Sequence, residues 1–174
     1  MEIRKATKAD LDAVENSYRE LLENIRPEEN YSGWVLDVYP NRQWAEENLD
    51  NLWVLMDGET LGASMILNHT QAEDYKSVPW EIPAEPDKVS VIHTLCVPPS
   101  QAGRGFGRKM VHFGIEESRR QSMTAMRLDT AKGNLPATAL YTGCGFAIRG
   151  VRQVLHQGVI PEELIFFELG LSNS

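Results

Sequence analysis

The chain has 174 residues, 42% of them hydrophobic, which suits one globular domain with a full core. It carries 17 basic against 25 acidic residues, a net charge of −8 that argues against nucleic acid as a partner, for which a basic patch is expected. Such a surface mildly favours a cationic partner such as an amine, although acidity alone also serves solubility.

Residues 2 to 6 alternate and predict a short strand. Thr7 and Asp10 have the spacing of a capping box, and Leu11, Val14, Leu21, Leu22 and Ile25 then share one helical face. Pro27 ends that helix, 28–40 reads as irregular and aromatic, and 41–50 as a second helix. A strand over 51–56, a turn at Asp57-Gly58 and a returning strand over 61–67 make a hairpin. The stretch 69–88 has five acids, two lysines, three prolines and no periodicity, the signature of a lid or a disordered excursion, here a substrate-side loop. Beyond it come a strand over 89–97, a helix from Arg108 and a strand over 123–129. Asn134 caps the next helix, with Pro136 in its first turn, and strands from Phe146 toward Leu155 and over 164–169 close the chain. Hairpins mixed with crossovers predict an α/β (α+β) fold on a mixed sheet. Cys96 and Cys144 show neither metal-ligand spacing nor a disulfide framework, which points to a reducing compartment. No apolar run approaches a membrane span. A cytoplasmic protein without a metal, a nucleic-acid partner or a membrane partner is expected.

The organising feature is the strand 89–97, the turn Ser100-Gln-Ala-Gly-Arg-Gly-Phe-Gly107 and the helix that follows. Glycines at 103, 105 and 107 permit a tight turn with no Cβ against a ligand, and a helix start aims unpaired N–H groups into it. That combination suits an anion, most often phosphate. A Walker loop would need Lys-Ser/Thr after its last glycine, and here Arg108-Lys109 precedes Met110. A dinucleotide fingerprint would need Gly-x-Gly-x-x-Gly near the first strand, whereas this turn follows the fourth. The third reading is a coenzyme A diphosphate site.

With Ala102-Gly-Arg-Gly-Phe-Gly107 in place of Arg/Gln-x-x-Gly-x-Gly/Ala, and Asn134-Leu-Pro-Ala-Thr-Ala-Leu-Tyr141 followed by Gly-Cys-Gly-Phe146, the chain resembles the GNAT superfamily of acyl-coenzyme A-dependent N-acetyltransferases. The resemblance runs from the first strand to the last. It implies a single domain over 1–174 with a mostly antiparallel sheet of about seven strands, splayed between the fourth and fifth, and helices on both faces. It also implies acetyl-coenzyme A as co-substrate and a small-molecule or peptide amine as acceptor, with a homodimer left open. Ala102 departs from the motif's first position, which weakens diphosphate contacts without abolishing a site made of backbone amides.

In the resemblance the fourth strand bulges away from the fifth, and the pantetheine arm lies against backbone at Leu95, Cys96 and Val97. One N–H there meets the acetyl oxygen. Gly103, Arg104, Gly105, Phe106, Gly107 and Arg108 cradle the diphosphate, with charge pairing from the two arginines set against an ordinary solvated surface. Asn134 contacts the pantetheine or only caps its helix. Tyr141, two turns on, is the general acid for the leaving thiolate, and its loss should slow turnover without abolishing it. His93 is the first candidate base: it stands two residues before the acyl site and matches by position a histidine of arylalkylamine N-acetyltransferases. Asp129 ranks second; it matches a glutamate base of ribosomal-protein acetyltransferases but is a poor base unless burial raises its pKa. Glu28, Glu29, Tyr31, Trp34, Glu73, Asp74 and Trp80 are candidate lining for a cationic amine, although aromatics at 69–88 would equally pin a long loop to the core. Neither cysteine is placed as an acyl carrier. Two other functions compete: a non-catalytic acyl-coenzyme A-binding module, and more distantly a nucleotide phosphate-binding enzyme.

Overall fold

The structure, a computed structural model, describes residues 1–30, 33–156 and 160–172. The described residues form seven strands, β1 (Glu2–Lys5), β2 (Leu52–Asp57), β3 (Thr60–Asn68), β4 (Val89–Cys96), β5 (Ala125–Ala131), β6 (Ala147–His156) and β7 (Ile160–Gly170), and four α-helices. These are α1 (Leu11–Asn24), α2 (Arg42–Glu47), α3 (Phe106–Arg120) and α4 (Leu135–Gly143), in the predicted order. The sheet order is β1-β2-β3-β4-β5-β7-β6, and the β4–β5 pair is parallel. The fold is therefore α/β on a mixed sheet. Among the described residues no helix is long and apolar enough to cross a membrane.

Two elements differ from the expected bounds for identifiable reasons. The second helix stops at Glu47, because Asn48 leaves helical geometry (ψ 16°) and Leu49–Asn51 continues as a 3-10 turn. The third helix begins two residues early, at Phe106, because Gly105 supplies the left-handed backbone (φ 75°) that admits the chain into it.

The chain forms two compact units. The first comprises Met1–Asn30, Trp34–Leu67 and His93–Phe113. Its core gathers Leu11, Val14 and Tyr18 of α1 with Leu52, Val54, Leu61 and Ile66 of the β2–β3 hairpin, and Cys96 of β4. The buried face of α1 is more polar than its apolar spacing foretold: Ser17 and Tyr18 are buried, while Leu21, Leu22 and Ile25 are only half-buried. The predicted capping box closes, with the Thr7 N–H donating to Asp10 Oδ2 at 2.7 Å. Arg4 clamps the same carboxylate through two bonds of 2.8 and 2.9 Å, and that contact chiefly holds its pKa down to about 2. The folded value lies below the unfolded one, so the pair stabilises fully above about pH 4 and is lost as pH falls toward 2. Asp10→Asn should therefore cost about 1–2 kcal/mol at pH 7 in urea unfolding, with the deficit vanishing near pH 2.

The second unit takes in Asn68–Ile92 and the chain from Gly114 onward. Here β5 pairs with β4 on one side and, antiparallel, with β7 on the other, and β6 completes the antiparallel set. The parallel ladder is short: Val89↔Ala125, Ser90↔Met126 and Val91↔Arg127 are its register pairs, though β4 continues to Cys96 and β5 to Ala131.

The stretch 69–88 is packed and is not a disordered excursion. It forms 3-10 turns at Glu73–Ser77 and Pro86–Lys88 and sends Tyr75 and Val78 into a core with Val89, Val91 and Phe166. Its polar anchors are buried charges. Arg127 of β5 pairs with Glu168 of β7 at 3.0 Å, bonds the Ile82 carbonyl at 3.0 Å, and lies over the Trp80 ring at 4.4 Å. Glu168 also accepts from the N–H groups of Glu81 and Ile82 and from Arg149. A carboxylate at 1% exposure is stable only with its lone pairs filled, so the segment and the ion pair depend on each other.

Candidate active site

In the first unit the site begins where β4 breaks its own regularity. Thr94 has φ 45°, a left-handed conformation that a β-branched residue adopts only when its surroundings impose it. The break lies in the strand that the resemblance expects to bulge, and no local pattern in the sequence marks it. The Trp44 indole N–H of α2 donates to Thr94 Oγ1 at 3.3 Å. The buried Tyr18 hydroxyl lies near those of Ser64 and Thr94 without closing a hydrogen bond to either. His93, Leu95 and Val97 are half-buried, while Cys96 is buried and its thiol faces the Ser17 carbonyl at 3.7 Å. Burial pushes that thiol up to about 12, so it carries almost no thiolate at neutral pH.

After Pro98 the chain makes a 3-10 turn, Pro99–Gln101, held from outside by α1. Glu20 accepts from the Ser100 N–H at 2.6 Å and from its hydroxyl at 3.1 Å. Gly103 (φ 77°) and Gly105 (φ 75°) then turn the chain into α3, and a Cβ built on either meets nothing within 4 Å. The turn thus has an open face beside it, which is where an anion would meet the first amides of a 15-residue helix. The next residue locks the turn in place: Phe106 is 2% exposed and packs so closely on Gly62 that a Cβ there would fall 2.8 Å from its ring. Backbone amides with open space beside two glycines fit a diphosphate.

The arginines divide. Arg104 is held by Asp57 and by Gln101, each at 2.6 Å, and its guanidinium stacks on the Phe106 ring at 4.5 Å. It is thus an ion-paired surface residue in this structure. Arg108 is exposed on the first turn of α3.

In the second unit, Asn134 caps α4 as expected, its Oδ1 accepting from the Ala137 N–H at 3.2 Å. Tyr141, 7% exposed, packs edge-on against Phe146 (5.9 Å) and Phe167 (5.5 Å). Burial, with the charges of Asp129 and Cys144 adding, raises its pKa, so it holds its proton at neutral pH. Asp129 is half-buried, and Oδ2 accepts from the Tyr75 hydroxyl at 2.7 Å. Burial is the largest influence on this carboxyl and pushes its pKa up against the Tyr75 bond, with Asp74 adding to the rise.

Tyr75 is the residue that the sequence reading missed. Nothing local singles it out, because its partner lies 54 residues away. Among the candidate acceptor contacts, Trp80 acts as a pin, donating its indole N–H to the Tyr75 carbonyl at 2.8 Å. Trp34 is half-buried and meets Tyr18 edge-on at 6.2 Å. Glu28 and Glu29 are exposed and pair with Arg26, and Glu73 pairs with Lys76. Tyr31 lies outside the described residues.

A family model described as "Acetyltransferase (GNAT) family" matches residues 12–146. No curated protein sequence matches the chain. Among solved structures, an acetyltransferase of the GNAT family from Streptococcus agalactiae is similar with a TM-score of 0.80 at 18% identity, over 99% of this chain and 96% of that one. The yncA protein of Salmonella typhimurium, solved with its cofactor acetyl-CoA, has a TM-score of 0.73 at 20% identity over 100% and 95%. A ribosomal-protein-alanine N-acetyltransferase from Brucella melitensis has a TM-score of 0.70 at 23% identity over 98% and 100%. At these identities the likeness is one of fold.

Proposed function

Because the chain belongs to the GNAT acetyltransferase family, we propose that it is a cytoplasmic N-acetyltransferase that moves acetyl from acetyl-coenzyme A to a primary amine. The observation that carries this reading is the glycine turn at the start of α3, with left-handed backbone at Gly103 and Gly105 and open space where their side chains would be. Amides of Gly103 to Arg108 bind the diphosphate, and the backbone of Leu95 to Val97 receives the pantetheine arm.

Acetyl transfer forms a C–N bond, breaks the thioester C–S bond, takes a proton from the amine and returns one to the thiolate. Asp129 accepts the amine's proton: its raised pKa makes it a stronger base than an ordinary carboxylate, and part of its surface stays accessible. His93 is the second reading, favoured by its place beside the strained Thr94. Tyr141 is the general acid for the leaving thiolate; burial raises its pKa further above that of a thiol, so the help it gives is modest and it regains its proton as the amine loses one. Direct attack by the amine is supported by the Cys96 thiol, too basic to serve as an acyl carrier.

Thiol release from acetyl-coenzyme A across a panel of amines tests the proposal. The panel should hold a polyamine, an aminoglycoside, free amino acids and, in view of the ribosomal-protein relative, a peptide with N-terminal alanine. At least one amine should raise release tenfold or more over water. A protein that binds the coenzyme tightly and accelerates none of them is instead a non-catalytic acyl-coenzyme A-binding module.

A further inference from the structure

We propose that Tyr75 is a positioning residue whose hydroxyl orients the Asp129 carboxylate to receive the amine's proton. The inference rests on the assignment of Asp129 as base and gives the 69–88 segment a function: it carries a phenol to the carboxylate of another strand.

The geometry over-determines the phenol's place. Its ring is 3% exposed and lies between Phe166 (5.3 Å, edge-on) and Trp80 (5.6 Å, tilted). Trp80 is itself fixed by its bond to the Tyr75 carbonyl and by the Arg127 guanidinium over its ring. Arg127 in turn is held by Glu168, by the Ile82 carbonyl and by Gln71 at 2.9 Å. Phenylalanine would satisfy every one of those ring contacts. The hydroxyl adds one thing, the 2.7 Å bond to Asp129 Oδ2.

With Oδ2 held by the phenol, the proton is accepted at Oδ1, and the bond fixes the plane in which Oδ1 points. The groups facing Asp129 are Tyr75 and Asp74 from the 69–88 segment and Tyr141 from α4. Phe166, its register partner on β7, carries no charge. Tyr75 keeps its own proton throughout, since burial and the charge of Asp129 raise its pKa well above that of an ordinary phenol. Tyr75 thus donates a hydrogen bond without giving up its proton, and it favours the carboxylate form that works as a base.

The test uses Tyr75→Phe, Asp129→Asn and the double variant, with acetyl-coenzyme A and the amine that gives the fastest thiol release. In Tyr75→Phe the acidic limb of the kcat/KM profile should move about one pH unit toward alkaline pH, because the carboxylate loses the bond that favours its charged form. At pH 7 kcat should fall about 3- to 30-fold, with KM for acetyl-coenzyme A and Tm close to wild type. Adding Tyr75→Phe to Asp129→Asn should change kcat/KM by less than twofold, since the phenol acts only through the carboxylate. A Tyr75→Phe profile that superimposes on wild type, or penalties that multiply in full in the double variant, overturns the proposal and makes Tyr75 a strut. If Asp129→Asn turns over normally while His93→Ala does not, the proposal falls and the transferase reading stands. If the wild type releases no thiol with any amine, the transferase reading fails and takes this one with it.

Discussion

Asp129→Asn should lower kcat/KM by about 10²- to 10⁴-fold at pH 8 while leaving the Kd for acetyl-coenzyme A within about twofold of wild type. The amide is nearly isosteric and its oxygen can still accept from Tyr75, so the packing around Phe166 and Trp80 survives. What is lost is the basic oxygen. The same substitution should raise stability. The carboxyl's folded pKa lies above its unfolded value because burial disfavours the charge. Folded protein therefore binds more protons between those two values, and stability falls as pH rises through them. An amide pays no such penalty, so Asp129→Asn should melt a few degrees higher than wild type at pH 8 and show no gain at pH 3. A variant that gains stability and keeps its turnover would remove Asp129 from the reaction and leave His93 as the base.

Gly105→Val should raise the Kd for acetyl-coenzyme A by about 10- to 100-fold in calorimetric titration. Its φ of 75° is one that a β-branched residue occupies only under strain of about 1–3 kcal/mol. The new side chain meets no protein atom within 4 Å of its Cβ, so it projects into the space assigned to the diphosphate. Backbone strain should lower Tm by several degrees, whereas the affinity loss comes from the occupied space. Gly58 separates the two effects. It also has positive φ (64°) and open surroundings but lies in the β2–β3 turn, so Gly58→Val should cost comparable stability and leave coenzyme affinity unchanged. Equal affinity in Gly105→Val and wild type would mean that the anion does not lie at this turn.

Features set by neighbours in sequence were legible from the chain alone. The order of strands and helices followed from periodicity, and the Thr7–Asp10 box and the Asn134 cap from spacings of three residues. The left-handed turn at Gly103 and Gly105 followed from the one side chain that permits it. The family followed from two short motifs, and the match over residues 12–146 agrees. Each of these depends on backbone geometry within a turn or two, where residue type acts directly.

The tertiary structure decided what depends on residues far apart in the chain. Tyr75 and Asp129 are 54 positions apart, and Arg127 and Glu168 are 41 apart. Those contacts turned an apparently open excursion into a packed segment and raised the pKa of a carboxyl that sequence alone makes an ordinary acid. Thr94 took a left-handed backbone that its own side chain opposes, and Arg104 turned to Asp57. Residue type sets local backbone preference, but a carboxyl's basicity depends on the water removed from around it. Only the packed chain determines how much is removed.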